Sequence, residues 1–281
     1  MVMPHGAFGV HSSQADYREL FDLIHGQYSR PVYWYVIAPW VDTHAGEREW
    51  LRSFALRPGD PIPQAEVEDL WRLYALSRVN ETLFLGFQHG RADGCDWPGP
   101  KISLDDYQRF AESLGLTATE PATFSPFYHE VVEVEQAHDE DQPAGLGLTF
   151  WPCLLLGDMV FSRAGVRISS GRQFISKVVA ESSTLYWAFR RKNRPFQDLS
   201  HGWGSNSQWR TGFRRDYRVG QDFYYNVDGK HDLAAPEPTA EDRDGLTREE
   251  RIELLTNRCF VRTMKPHGDL WPYDDMLRVR A

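Results

Sequence analysis

The order in which helical and extended apolar patterns succeed one another is the strongest constraint this chain places on its fold. Near the start, Tyr17, Leu20, Phe21 and Ile24 lie at helical spacing behind Ser12 and Ser13, and Gly26 follows them as a stop. The run VYWYVIA at 32–38 is β-branched and aromatic, apolar on both faces and of strand length, so it predicts a buried central strand. Val67, Leu70, Trp71 and Tyr74 predict a helix after the proline-rich PGDPIP, and TLFLGF at 82–87 is a second apolar run. Ser103 and Asp106 open a further helix through Tyr107, Phe110 and Leu114, which Gly115 closes.

After Pro126 the period changes. His129, Val131, Glu133 and Glu135 alternate with Glu130, Val132 and Val134, which predicts a strand with one polar face. From Arg172, the residues Phe174, Ile175, Val178, Val179, Leu185, Tyr186 and Phe189 fit one helical face, and Arg190, Arg191 and Lys192 sit where a helix dipole favours cations. A long core helix is therefore expected over 172–190. Two alternating strands meet at a turn near Gly220, and Thr247-x-x-Glu250 is a capping box that opens a last helix. There is no internal repeat and no regular strand-helix alternation, as a doubly wound sheet or a barrel would need. The expectation is an α+β fold, a mixed or antiparallel sheet with packed helices, compact and globular. A length of 281 residues suits one domain, with subdomains 1–120 and 121–281 as the alternative.

Apolar residues make up 41% of the chain and aromatic ones 14%, enough for a sizeable core. A net charge of −9 disfavours nucleic acid and anionic lipid as partners, because the long-range field repels polyanions. Cys95, Cys153 and Cys259 are dispersed and form neither a zinc-ligand spacing nor a disulfide framework, which predicts a reducing compartment and no metal. The N-terminal residues lack a secretory pattern and no apolar run is long enough to span a bilayer, so a cytoplasmic, non-membrane protein is expected. Nothing in the sequence names a cofactor.

Charge is unevenly distributed. Between Val160 and Gly220, twelve arginines and lysines face three carboxylates, although the whole chain is acidic. Such a segment needs an anionic partner, either a ligand or the protein's own acids. Within it, DLSHGWGSNSQWRTGFRRDY crowds His201, Asn206, Gln208, Arg210 and Arg214 around Trp203 and Trp209. Gly202 and Gly204 allow backbone amides to approach a ligand closely, and arginine donates two parallel hydrogen bonds to carboxylate or phosphate. The expected ligand-binding residues are thus Trp203, Asn206, Gln208, Arg210 and Arg214, with His201 or the Glu133 and Glu135 pair as acid or base. The bland alternative is an irregular loop whose polar groups cap one another.

Known chemical signatures are missing: there is no phosphate-binding glycine loop, no nucleophile elbow, and the HEVVE run at 129–133 ends in Glu and sits in a strand pattern. Two functions remain. One is an intracellular enzyme acting on a polar or anionic small molecule held by the Arg/Asn/His-rich loop. The other is a non-catalytic, acidic binding module that neutralises a basic protein partner through its negative face and the Asp139–Asp141 loop.

Overall fold

Up to about residue 115 apolar residues return every three or four positions, and every regular element among the described residues there is helical. The computed structural model describes residues 13–90, 97–200, 209–235, 245–265 and 271–280. Helix α1, Ser13–Gly26, buries Tyr17, Leu20 and Ile24. The 32–38 run is not a strand. It forms a π-helical turn over Tyr33–Ile37 that continues as α2, Ala38–Thr43, and buries Tyr33, Val36, Ile37, Trp40 and Val41 while Trp34 and Tyr35 face out. That spacing is a helical stripe, and it prevails over the strand preference of the valines and aromatics.

Helix α3, Ala45–Ala55, is followed by α4, Val67–Leu83, which starts at a reciprocal cap between Glu66 and Asp69. The TLFLGF run is the last turn of α4 and a 3₁₀ turn, Phe84–Phe87. Helix α5, Leu104–Ser113, starts where the Ser103 hydroxyl accepts the Asp106 amide at 3.1 Å, as its sequence predicts.

The remainder is mostly extended. Strands β1 (Thr117–Thr119), β4 (Cys153–Leu156), β5 (Met159–Ser162), β9 (Asp216–Val219), β10 (Asp222–Tyr225), β12 (Asp275–Arg280) and β11 (His231–Asp232) pair in that order in one sheet, antiparallel except for the β11–β12 pair. The β9–β10 hairpin turns at Gly220, whose φ of 61° a side chain would disfavour. A second sheet has the order β2 (His129–Gln136), β6 (Ala164–Ser170), β3 (Gly145–Trp151), with β2 and β6 parallel. Two short strands, β7 (Leu185–Tyr186) and β8 (Phe196–Gln197), form a third pair. Helix α7, Arg248–Asn257, begins at the Thr247/Glu250 capping box. Helices packed on mixed sheets make the fold α+β.

Two further local readings change. The 172–190 segment is not one helix: only Lys177–Ser182 is helical (α6), and the chain then enters β7 and an irregular stretch with Trp187 and Arg190 in left-handed conformation. Val178 is 68% exposed and Phe174 is exposed too, so the apolar spacing there did not mark a core face. In β2 a bulge inserts Val132 between Val131 and Glu133. Because one extra residue flips the alternation, His129 shares a face with Val131 and Val134, whereas Glu130, Glu133 and Glu135 share the other.

The buried apolar residues form two clusters. One gathers α1 to α5 with Trp151, Phe161, Phe213 and Tyr217; the other gathers Phe127, Val131, Val166, α6, α7, Trp187 and β12. Partly buried Leu199 packs against both. Along the seam between them lies one group of buried charges.

Candidate functional site

Each element that meets the seam contributes polar groups. On α4, Tyr74, Arg78 and Glu81 follow one another at helical spacing and so share a face. Arg163 sits in the link from β5 to β6, Arg214 precedes β9, and Arg258 caps the C-terminal end of α7. These three guanidiniums converge on one carboxylate, Asp216, which is fully buried. Asp216 Oδ1 accepts from Arg214 Nε and the Asn226 amide, both at 2.8 Å; its Oδ2 accepts from Arg163 Nη2 at 3.3 Å and Arg258 Nη2 at 3.4 Å. Carbonyls take other donors: Thr256 O from Arg163, Leu255 O from Arg214 and Trp187 O from Arg258. The Arg214 guanidinium also lies over the Trp187 ring, 4.2 Å from its centroid.

A second buried knot adjoins the first. Arg191 spans Glu130 with a two-pronged contact at 2.8 and 2.9 Å and reaches Glu81 at 2.8 Å, and the Phe189 amide also donates to Glu81. Together these groups and Tyr74, Ser77, Phe161, Leu199 and Phe213 line a small enclosed cavity with about 30 Å³ of free interior. That is room for about one or two waters or for one compact charged group.

The arginines that line this cavity carry three buried donors with no hydrogen-bond partner, Arg163 Nε, Arg214 Nη1 and Arg258 Nε, as do Arg78 and Arg194 nearby at their Nε atoms. Buried polar groups are normally paired, and a buried guanidinium with a spare N–H is costly. Backbone conformation is unusual in the same place. Trp187, Arg190, Asn226 and Arg258 are the non-glycine residues with positive φ among those described. All four serve this network, through the Trp187 and Arg190 carbonyls, the Asn226 amide and the Arg258 side chain. Left-handed conformation costs a bulky residue about 1–2 kcal/mol, and such costs gather at functional sites.

Crowding of like charge moves the titrations apart. Burial, with Arg163 and Arg214 close by, pushes the Arg258 guanidinium down to about 9. Burial also pushes Arg214 down, Asp216 offsetting part of it. For Asp216 burial acts upward, yet Arg214, Arg258, Arg163 and the Asn226 amide together hold the carboxyl below the usual carboxylate range. Glu81 and Glu130 share a single guanidinium and diverge. Burial raises Glu81, whereas Glu130 is drawn down by its double contact with Arg191.

Of the residues singled out from sequence, Arg214 lies in the seam. Arg210 is exposed beside Trp71, 6.0 Å from the ring centroid, and does not join it. His201, Trp203, Asn206 and Gln208 fall outside the described residues. Glu133 and Glu135 line a different, open groove of about 680 Å³ with His89, Arg167, Lys177 and Glu181. There Glu133 is paired with Arg167 at 2.6 Å and Lys177 with Glu181 at 2.9 Å. The Asp139–Asp141 loop is exposed, with Glu140 paired to Arg172. Sequence reasoning missed Tyr74, Glu81, Glu130 and Arg258 as seam residues; the signal it did carry was the basic excess over 160–220, which contains Arg163, Arg191 and Arg214.

Among the described residues, no group of three His, Cys, Asp or Glu side chains is arranged to hold a metal ion, and no helix is long and apolar enough to cross a membrane. A scan against protein-family models matches none, and comparison with curated proteins and with solved structures finds no match.

Proposed function

We propose that the protein is an enzyme acting on a polar, anionic small molecule whose charged group is gripped by the seam arginines, with Glu81 as the acid-base group. The observation that carries this reading is that three arginines with unpartnered guanidinium N–H donors line one small enclosed cavity. Water can satisfy such donors but leaves their charge uncompensated, whereas an anion supplies acceptor and charge together. Glu81 adds the chemistry. A carboxyl raised by burial beside one that is lowered is the arrangement by which two acids acquire different proton-transfer roles.

The test is a thermal-shift screen of organic acids, phosphate and sulfate at constant ionic strength, run on the wild type and on Arg258→Gln. A ligand that binds only the folded state raises its melting temperature. We expect at least one anion to stabilise the wild type saturably and Arg258→Gln much less. If no anion does so, or if both proteins respond alike, the seam is a structural knot and the reading fails. A saturating anion whose affinity is unaltered by Glu81→Gln across pH 5 to 8 would remove Glu81 from its role.

A further inference from the structure

We infer that the cavity takes its anion together with one proton, which comes from solvent and is held on Oε1 of Glu81. The inference rests on the proposed anion-binding reading and adds the proton as a second ligand of the same site.

The carboxylates of the seam differ in how fully their oxygens are used. Glu130 accepts from Arg191 on both, Nε on Oε1 and Nη2 on Oε2. Asp216, which does not line the cavity, is equally committed: Arg214 and the Asn226 amide take one oxygen, Arg163 and Arg258 the other. Glu81 is different. Arg191 Nη1 and the Phe189 amide both donate to its Oε2, and among the described residues no hydrogen bond ends on Oε1. A proton on Oε1 therefore costs Glu81 none of the hydrogen bonds it makes. It also turns an acceptor into a donor, and an O–H facing an anion makes a short, charge-assisted bond.

Charge is what calls for the proton. Glu81 and Glu130 line the same enclosed cavity as Arg163, Arg191, Arg214 and Arg258. With about 30 Å³ of free interior, any guest touches the walls, so an anion gripped by the arginines also stands against both carboxylates. Repulsion there is poorly screened, and neutralising one carboxylate relieves it. Glu130 is the harder to protonate, with Arg191 on both oxygens and Arg194 close by. Glu81 has only a share of Arg191, and burial already raises its titration. The other ionisable groups around it hold their protons near neutrality. Tyr74 on α4 donates to Asp198, which Arg78 grips at 2.6 Å, and Tyr107 on α5 donates to Asn80 at 2.9 Å; burial pushes both phenols up. Arg258, pushed down to about 9, is still charged at pH 7.5.

The experiment titrates the full chain with formate and with sulfate, neither of which takes a proton between pH 5.5 and 7.5. Calorimetry in buffers of different ionisation enthalpy counts the protons bound with the anion. We expect the count to approach one per anion within this range, and affinity to fall by up to about tenfold per pH unit there. Difference infrared spectroscopy should show one carboxylate becoming a carboxyl as the anion binds. Glu81→Gln should abolish both signals and bind at pH 7.5 at least as tightly as the wild type, whereas Arg258→Gln should weaken binding tenfold or more. Anion binding that depends on Arg258 but brings no proton, or brings one that persists in Glu81→Gln, overturns the coupling and leaves the anion-binding reading standing. Should Glu81→Gln fail to fold, the wild-type infrared spectrum decides: no new carboxyl band overturns the coupling. No binding of either anion, or binding indifferent to Arg258→Gln, overturns both readings.

Discussion

The seam and the β2 groove both assemble acids and bases, and they treat them in opposite ways. In the groove the cations and the acids pair off. Glu133 meets Arg167, Lys177 meets Glu181, and the open side of β2 is capped by side chains, with Glu181 accepting the Val134 amide while Lys177 donates to the Val134 carbonyl. These pairs are largely solvated and cover the unpaired backbone of an edge strand, a device that discourages further strand addition. At the seam the arginines outnumber their acids, the groups are buried or nearly so, and four residues of the network have left-handed backbone. One-to-one pairing at the surface needs no ligand to explain it. The excess of cations with spare donors at the seam is what the proposed anion site rests on.

The sharpest way to test that contrast is to remove one carboxylate from each place. Asp216→Asn keeps the shape and leaves three buried guanidiniums without their shared anion, so we expect a loss of about 3–5 kcal/mol in urea unfolding. Glu133→Gln breaks an ion pair whose partners stay about a third exposed or more, so its cost should be below about 1 kcal/mol. Equal losses would dissolve the distinction between the two regions.

Titration offers a second, smaller test. The Arg258 guanidinium is pushed down to about 9 in the folded protein, far below its value in an unfolded chain. Above that pH the folded state loses the proton while the unfolded state keeps it. The unfolded state then binds more protons, and stability rises with pH. Relative to Arg258→Gln, which has no proton to lose, the wild type should gain about 1 kcal/mol between pH 8 and 10 in urea unfolding. Saturating anion should suppress that gain by keeping Arg258 charged. A flat difference across this range would mean that the three guanidiniums do not repel one another as their geometry implies.

What could be read in the sequence follows from the distance over which each signal acts. Helix caps at Ser103 and Thr247 and the turn at Gly220 are local, and all three are where their residues place them. At 32–38 two local signals disagreed. β-branched and aromatic composition favoured a strand, but Tyr33, Val36, Ile37, Trp40 and Val41 already carried the helical period, visible once the window extends past Ala38. The seam is assembled from α4, β2, the β5–β6 link, the 187–191 stretch, Arg214 and the end of α7, which lie up to about 180 positions apart in the sequence. No spacing rule spans that distance. The basic excess over 160–220 announced that anions were needed without saying where. Arg258 gave no warning, since its position depends on where α7 stops.

The smallest effect we expect concerns α6, which borders the groove and which the 172–190 pattern made part of a long core helix. A core position should not tolerate a carboxylate: burying an unpaired charge costs several kcal/mol. In the fold, α6 spans only Lys177–Ser182, and its successive valines point to different environments. Val179 is 6% exposed and belongs to the second apolar cluster, whereas Val178 is 68% exposed. Val178→Asp should therefore change unfolding free energy by less than about 0.5 kcal/mol, as surface substitutions usually do, while Val179→Asp should cost several kcal/mol. The pair separates the two backbones cleanly. A helix running through 172–190 with its apolar stripe inward would bury both valines and make both variants severely unstable. A short α6 followed at once by β7 exposes one and buries the other. Comparable destabilisation by the two substitutions would refute the short helix, and with it the course of the chain that carries Trp187 and Arg191 to the seam.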